Sequence, residues 1–281
     1  MRPEVGKLVG MSGMLALDDL EDACRKLSGL GFEAVGVFHG QIGSRLVNAP
    51  VFEGHYRAAG TVIREAGFIV STLNVIEDEP EFQPFGTTDD LRRSSERLAH
   101  QLRMAEAMGA PGILIWDGRA RDSMTADRAP ELLAECIGRA REMAGPAGDI
   151  DISVELHPFT FALQYRKLRE LARALTSVNS SICVDFCHFA VALGPGFLSA
   201  IDEVVMDCVG EIHYCDSDCV TSEFHFPAGR GSLDMRAIEA FFVGRQVPAS
   251  MDVFQWPFPL AGARDGMSLY RDFVSRLSSR P

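Results

Sequence analysis

The sequence predicts an α/β fold of a single domain, a (β/α)8 TIM barrel. Three observations carry that prediction. Short runs rich in β-branched and apolar residues recur at intervals of roughly 35 residues, and stretches with helical patterning alternate with them. There are eight such runs, the number that closes a barrel. The 281 residues show no composition break and no low-complexity segment, which suits a barrel running to about 250 residues as one domain.

The elements follow in order. Residues 8–14 read as the first strand, and their Gly10-Met11-Ser12-Gly13 lacks the G-x-G-x-x-G spacing of a doubly wound dinucleotide fold. A helix over 18–30 opens on acidic residues and stops at Gly31. Residues 34–38 and 68–74 are the second and third strands, with no helical span delimited between them. A helix over 88–108 starts on a Thr-Asp-Asp cap and stops at Gly109. Strands at 112–116, 150–156, 181–186, 210–215 and 249–254 then alternate with helices at 127–144, 163–175, 198–208, 235–242 and 266–277.

Composition narrows the function classes. The chain is 47% hydrophobic and 23% charged, with 39 acidic residues against 27 basic ones and a net charge of −12. That balance opposes non-specific binding to nucleic acid or to an anionic membrane, both of which need clustered positive charge. No apolar run approaches the ~20 residues that span a bilayer. Met1-Arg2-Pro3-Glu4 lacks the apolar region of a secretory signal, so a cytoplasmic location is expected. Seven scattered cysteines oppose a disulfide framework. The pairs Cys183/Cys187 and Cys215/Cys219 read as buried small hydrophobes, with a four-cysteine zinc site as the alternative. None of Lys7, Lys26 and Lys167 falls at a strand end, which excludes Schiff-base aldolase chemistry.

Barrel enzymes carry their chemistry at the carboxyl ends of the strands. In the second half of the chain those ends alternate with period two. Glu155 lies between Val154 and Leu156, Asp185 between Val184 and Phe186, His213 between Ile212 and Tyr214, and Asp252 between Met251 and Val253. The apolar neighbours belong to the helix-facing layer, so each polar side chain points into the barrel. Three carboxylates and an imidazole in one ring repel unless a cation sits among them. An oxygen-rich set with one nitrogen suits one divalent ion, Mn²⁺ first, with Mg²⁺, Co²⁺ or Zn²⁺ also compatible.

The segments Val154-Glu155-Leu156-His157, Val184-Asp185-Phe186-Cys187-His188, Ile212-His213-Tyr214-Cys215-Asp216 and Gly229-Arg230-Gly231-Ser232-Leu233-Asp234 resemble the xylose isomerase-like barrel superfamily, in its sugar phosphate isomerase/epimerase branch. The resemblance implies that Glu155, Asp185, His213 and Asp252 hold the metal and that His188 contacts substrate. It also implies a homo-oligomer acting on a small carbohydrate or polyol. Two departures stand out. Asp252 replaces a family Glu, and Phe161 occupies the place of a second substrate-binding Glu of ketose 3-epimerases.

Such a site supports isomerisation or epimerisation. The metal polarises a carbonyl, a carboxylate removes the neighbouring C–H proton, and an enediolate forms beside the metal. Glu155 is the expected base, Asp252 its opposite-face partner and His188 a proton shuttle, with His157 as an alternative shuttle. His157, Trp116, Arg230 and Trp256 are further expected substrate contacts, although strand-end, packing or solvated roles suit them equally. Asp216 either orients His213 or caps its loop. His225 is read as a loop residue with no assigned role, and His39 as either a pocket or a loop histidine. A lyase on the same site, an inosose-type dehydratase or a carbon-glycoside-cleaving subunit, is the alternative, and a non-catalytic barrel is another. An apurinic endonuclease on this barrel would need a basic groove that the charge balance does not supply.

Overall fold

Eight short strands pair in parallel, each with its sequence neighbour, in a computed structural model that describes residues 8–42, 53–75, 82–242 and 247–278. They are β1 (Leu8–Met11), β2 (Ala34–Phe38), β3 (Ile69–Asn74), β4 (Gly112–Trp116), β5 (Asp151–Glu155), β6 (Ser181–Asp185), β7 (Val209–Tyr214) and β8 (Ala249–Met251). Pairing of Leu8 with Ala249 and of Gly10 with Met251 closes β8 on β1, so no sheet edge is left open. The expected (β/α)8 barrel is the observed one.

Helices α1 (Leu20–Leu30), α2 (Glu53–Glu65), α3 (Thr88–Met108) and α4 (Ser123–Ala144) cover the first half of the barrel. The second half carries α5 (Phe161–Gln164), α6 (Leu168–Ser177), α7 (Phe186–Leu193), α8 (Glu203–Met206), α9 (Met235–Phe242) and α10 (Pro259–Ser278). The chain's own punctuation explains the best-read boundaries. Asp19 accepts from the Asp22 N–H to start α1, and Gly31, at φ 88°, ends it. Thr87 and Asp90 cap α3 reciprocally, and Gly109, at φ 83°, ends it.

Three differences from the sequence expectation have physical causes. Strand β1 stops at Met11, where Ser12–Leu15 form a 3₁₀ turn and the Ser12 hydroxyl takes the Phe38 N–H at 2.8 Å. Helix α2 has no counterpart in the sequence expectation, because Gly54 and Gly60 dilute its pattern. Tyr56, Ala59, Gly60 and Ile63 nevertheless form its buried stripe, and a Cβ at Gly60 would run into the Met108 carbonyl of α3. Helix α7 starts immediately after β6 because the Asp185 carboxylate caps it, accepting from the His188 N–H at 3.0 Å.

Among the described residues, no helix is long and apolar enough to cross a membrane. The expectation drawn from Met1-Arg2-Pro3-Glu4, and the position of Lys7, lie outside the described residues.

Candidate metal centre

Register decides which side chains meet at the open end of the barrel. Glu155 pairs with Cys183, Asp185 with His213, and His213 with Ser250, two residues before Asp252. Period two then sets Asp185 and Asp252 on the same inward face as their strands' paired residues. The stagger of a closed barrel lifts Glu155 to their level.

The resulting cluster is tight and dry. His213 Nδ1 lies 2.7 Å from Glu155 Oε1, 3.3 Å from Asp185 Oδ2 and 3.6 Å from Asp252 Oδ2. One ligand-capable atom from each of the four residues falls within 4.8 Å of the others, and all four residues are buried. Neither ring nitrogen of His213 makes a hydrogen bond, even at 2.7 Å from a carboxylate oxygen. The lone pairs converge instead of pairing, and an orphaned buried imidazole among three carboxylates fits a divalent cation.

Electrostatics agree with that fit. Burial alone would keep His213 neutral, but Cys183, Glu155 and Asp185 outweigh it and push the ring well above its ordinary value. Burial would likewise raise Glu155, yet His213 and His157 hold it well below the usual carboxylate range. Asp185 is held low against burial by His188, His225 and His213. In the metal-free protein, protons on imidazoles therefore take the place of the cation's charge.

A second ring of groups stands over the first. His225 Nδ1 is 3.0 Å from Asp252 Oδ2, and its Nε2 is 3.2 Å from both His188 Nε2 and the Ser222 carbonyl. The charge of Asp185 and Asp252 overcomes burial and pushes His225 up to about 10, whereas burial and His157 push His188 down to about 4. A protonated His225 can donate to both Asp252 and His188, and His188 Nδ1 lies 3.9 Å from Glu155 Oε1. His157 sits between Glu155 Oε2 at 3.5 Å and Glu223 Oε1 at 3.4 Å, and these carboxylates lift it against burial to about 9. Glu155, His157 and His188, and separately Asp185, Cys187 and His225, also bring three ligand-capable atoms together.

The expected residues divide by position. His188, His157 and Trp116 line the same cleft as Glu155, His213 and Asp252, and the Trp116 indole N–H is buried without a hydrogen-bond partner. The Trp116 ring packs against His157 at 4.0 Å between centroids, tilted by 46°. Arg230 lies outside that cleft, exposed and paired with Asp265 at 2.7 Å. Trp256 packs on Phe224 and Phe226 and borders a neighbouring groove. His39 bonds Tyr56 at 2.6 Å through Nδ1. Phe161 is fully buried against Phe85. The cysteines are free, and all but Cys219 are buried.

Two groups in the cleft escaped the sequence reading, Glu223 and the role of His225. Their signal was the alternation Glu223-Phe224-His225-Phe226, whose polar members face the cleft. Asp216 makes that possible as a loop organiser, not as a partner of His213. Its carboxylate accepts from the N–H groups of Ser217, Gly229, Gly231 and Leu233, and its backbone bridges Phe226. Gly231 has no room for a Cβ beside that carboxylate, and Gly229 takes φ 79°.

The profile of the xylose isomerase-like TIM barrel family matches residues 24–272. No curated protein matches the sequence. The IOLI protein, whose crystal structure holds a zinc atom, superposes with a TM-score of 0.76 at 12% identity, over 98% of this chain and 100% of that one. A D-tagatose 3-epimerase-like protein does so at 0.72 and 13% identity, over 97% and 100%. A sugar phosphate isomerase/epimerase from Parabacteroides distasonis gives 0.68 at 12% identity, over 96% and 97%. At these identities the likeness is one of fold.

Proposed function

The chain belongs to the xylose isomerase-like TIM barrel family, and on that premise we propose that it is a divalent-metal-dependent isomerase or epimerase of a sugar or polyol. The observation that carries this reading is the convergence of ligand-capable atoms from Glu155, Asp185, His213 and Asp252 on one buried point. Those four residues would hold the ion, Mn²⁺ first. Bound there, a divalent ion polarises a carbonyl and acidifies the adjacent C–H.

The protein's own groups do the rest. Glu155, kept ionised by His213 and His157, is the base that takes the carbon-bound proton. His188, kept neutral by burial, can accept a hydrogen bond from His225 through Nε2, and its Nδ1 lies 3.9 Å from Glu155 Oε1. It can thus relay a proton to or from a substrate oxygen. The Trp116 indole N–H supplies an unused donor at the cleft wall. Apolar walls from Met11, Phe38, Leu114 and Phe254 exclude water from the transfer.

One observation favours a second reading, a lyase on the same site. Both oxygens of Asp252 are engaged, Oδ1 by the Phe254 N–H at 3.1 Å and Oδ2 by His225. Asp252 is then a poorer opposite-face base, and a single base with an acid relay suits loss of a β-hydroxyl.

Metal analysis followed by solvent-deuterium exchange tests both readings. Protein loaded with Mn²⁺ should exchange one carbon-bound hydrogen of an accepted keto-sugar or keto-polyol, followed by NMR, and Glu155→Gln should abolish exchange while leaving the fold intact. Return of the label in an isomer supports the first reading, and its appearance with a dehydrated product supports the second. A chain that takes up no metal is a non-catalytic barrel.

A further inference from the structure

The cavity directly over the cluster is small, about 50 Å³. At roughly 10–15 Å³ per water-sized probe, it admits three to five heavy atoms, enough for a carbonyl and its neighbouring hydroxyl. Among the described residues no Lys or Arg lines it, and its basic groups are His157, His188, His213 and His225. The rest of any substrate must extend outward.

A groove of about 740 Å³ adjoins that cavity, and Gly13 and Phe254 line both. It runs between the Ser12–Leu15 turn after β1 and the segment 254–261 after β8. Its size is that of a ligand site. Its walls are apolar: Met14, Leu17, Trp256, Phe258 and Leu260. Its charged members, Asp18 and Lys26, neutralise each other at 2.8 Å. Leu17 and Phe258 stand 91% and 72% exposed on it, the two ends of an apolar rim facing water. A sugar bristling with hydroxyls gains little from such walls, whereas an apolar group gains about 25 cal/mol for each Å² it covers.

We propose that the substrate is a hydroxy-carbonyl compound bearing an apolar substituent, aromatic or branched aliphatic, with its chelating end at the metal centre and the substituent in this groove. The inference rests on the reading of the four-residue centre as a metal site. The lining shared at Gly13 and Phe254, the apolar walls of the groove and its paired charges each point to that occupant.

Hydroxamates are the probe, because they chelate divalent ions and their tails can be varied. The full chain is loaded with Co²⁺, and binding is read from the visible spectrum of the ion. Benzohydroxamate should bind at least tenfold tighter than acetohydroxamate, and a phosphono-substituted acetohydroxamate no tighter than acetohydroxamate. The double substitution Leu17→Asp and Phe258→Asp, at two exposed positions, should remove the benzohydroxamate advantage and leave acetohydroxamate binding unchanged. Equal affinities for the two chelators, a preference for the phosphonate, or an undiminished advantage in the double variant would overturn the groove assignment with the metal site intact. An unchanged benzohydroxamate preference accompanied by a shift in oligomeric state would instead make the groove a contact between copies. Failure of Co²⁺ to bind at all would remove the metal reading, and this one with it.

Discussion

His225 reaches from the loop after β7 to Asp252 at the end of β8, placing Nδ1 3.0 Å from Oδ2. Charged His225 donates that bond, and its other N–H points to His188. One loop histidine thereby fixes a short carboxylate on one side and meets an imidazole on the other.

Removal of that contact loosens a ligand without deleting it. His225→Ala should weaken divalent metal affinity about 10- to 100-fold, the usual cost of losing a ligand's outer partner. Equilibrium dialysis against Mn²⁺ measures it. Affinity equal to the parent protein would mean that Phe254 N–H alone holds Asp252 in place.

Asp185 has two tasks that substitution can separate. Asn retains capping ability at the start of α7, whereas Ala loses it. Both variants should drop metal content from about one ion per chain to near zero. Metal-free Asp185→Ala should be less stable than Asp185→Asn by a further ~1 kcal/mol. Denaturant midpoints of the two metal-free variants provide the check, and identical midpoints would refute the capping role.

Metal loading should release protons. The metal-free His213 holds a proton well above the ordinary imidazole range, and coordination requires the neutral ring. Apparent affinity should therefore rise about tenfold per pH unit across neutrality for each proton displaced. Calorimetric titration in two buffers of different ionisation enthalpy counts the protons. A buffer-independent heat would contradict the protonated resting cluster.

Burial at the end of β4 raises the Asp117 carboxyl to about 7, against partial compensation by Thr160 and the Ala162 N–H. The folded state thus binds this proton more tightly than the unfolded chain, whose carboxyl titrates near ~3.9. Its contribution to stability is complete below ~4 and is lost as pH rises toward 7, at up to ~1.4 kcal/mol per pH unit. Asp117→Asn should flatten the decline of metal-free stability between about pH 5 and 7, seen as converging melting curves of variant and parent at acid pH. A parent protein equally stable across that interval would show that Asp117 ionises freely.

The convergence of Glu155, Asp185, His213 and Asp252 was legible because strands are periodic. Val154-Glu155-Leu156 and Ile212-His213-Tyr214 need only a period of two and a burial preference to say which side chain turns inward. Barrel closure then brings neighbouring strand ends together whatever the loops do. Helix boundaries at Gly31 and Gly109 were equally local, because a left-handed C-terminal residue is a backbone requirement of the glycine itself.

Tertiary structure alone decided the second ring. No periodicity governs the path from Asp216 to Leu233, which is set by one carboxylate gathering four backbone N–H groups from both ends of the loop. That closure aims Glu223 and His225 into the cleft and turns Arg230 out to Asp265. It also decided that Asp252 is held at both oxygens, a fact invisible in its strand-end position. The small cavity and the apolar groove come to share Gly13 and Phe254 in the same way, because the turns after β1 and β8 become neighbours only when the barrel closes.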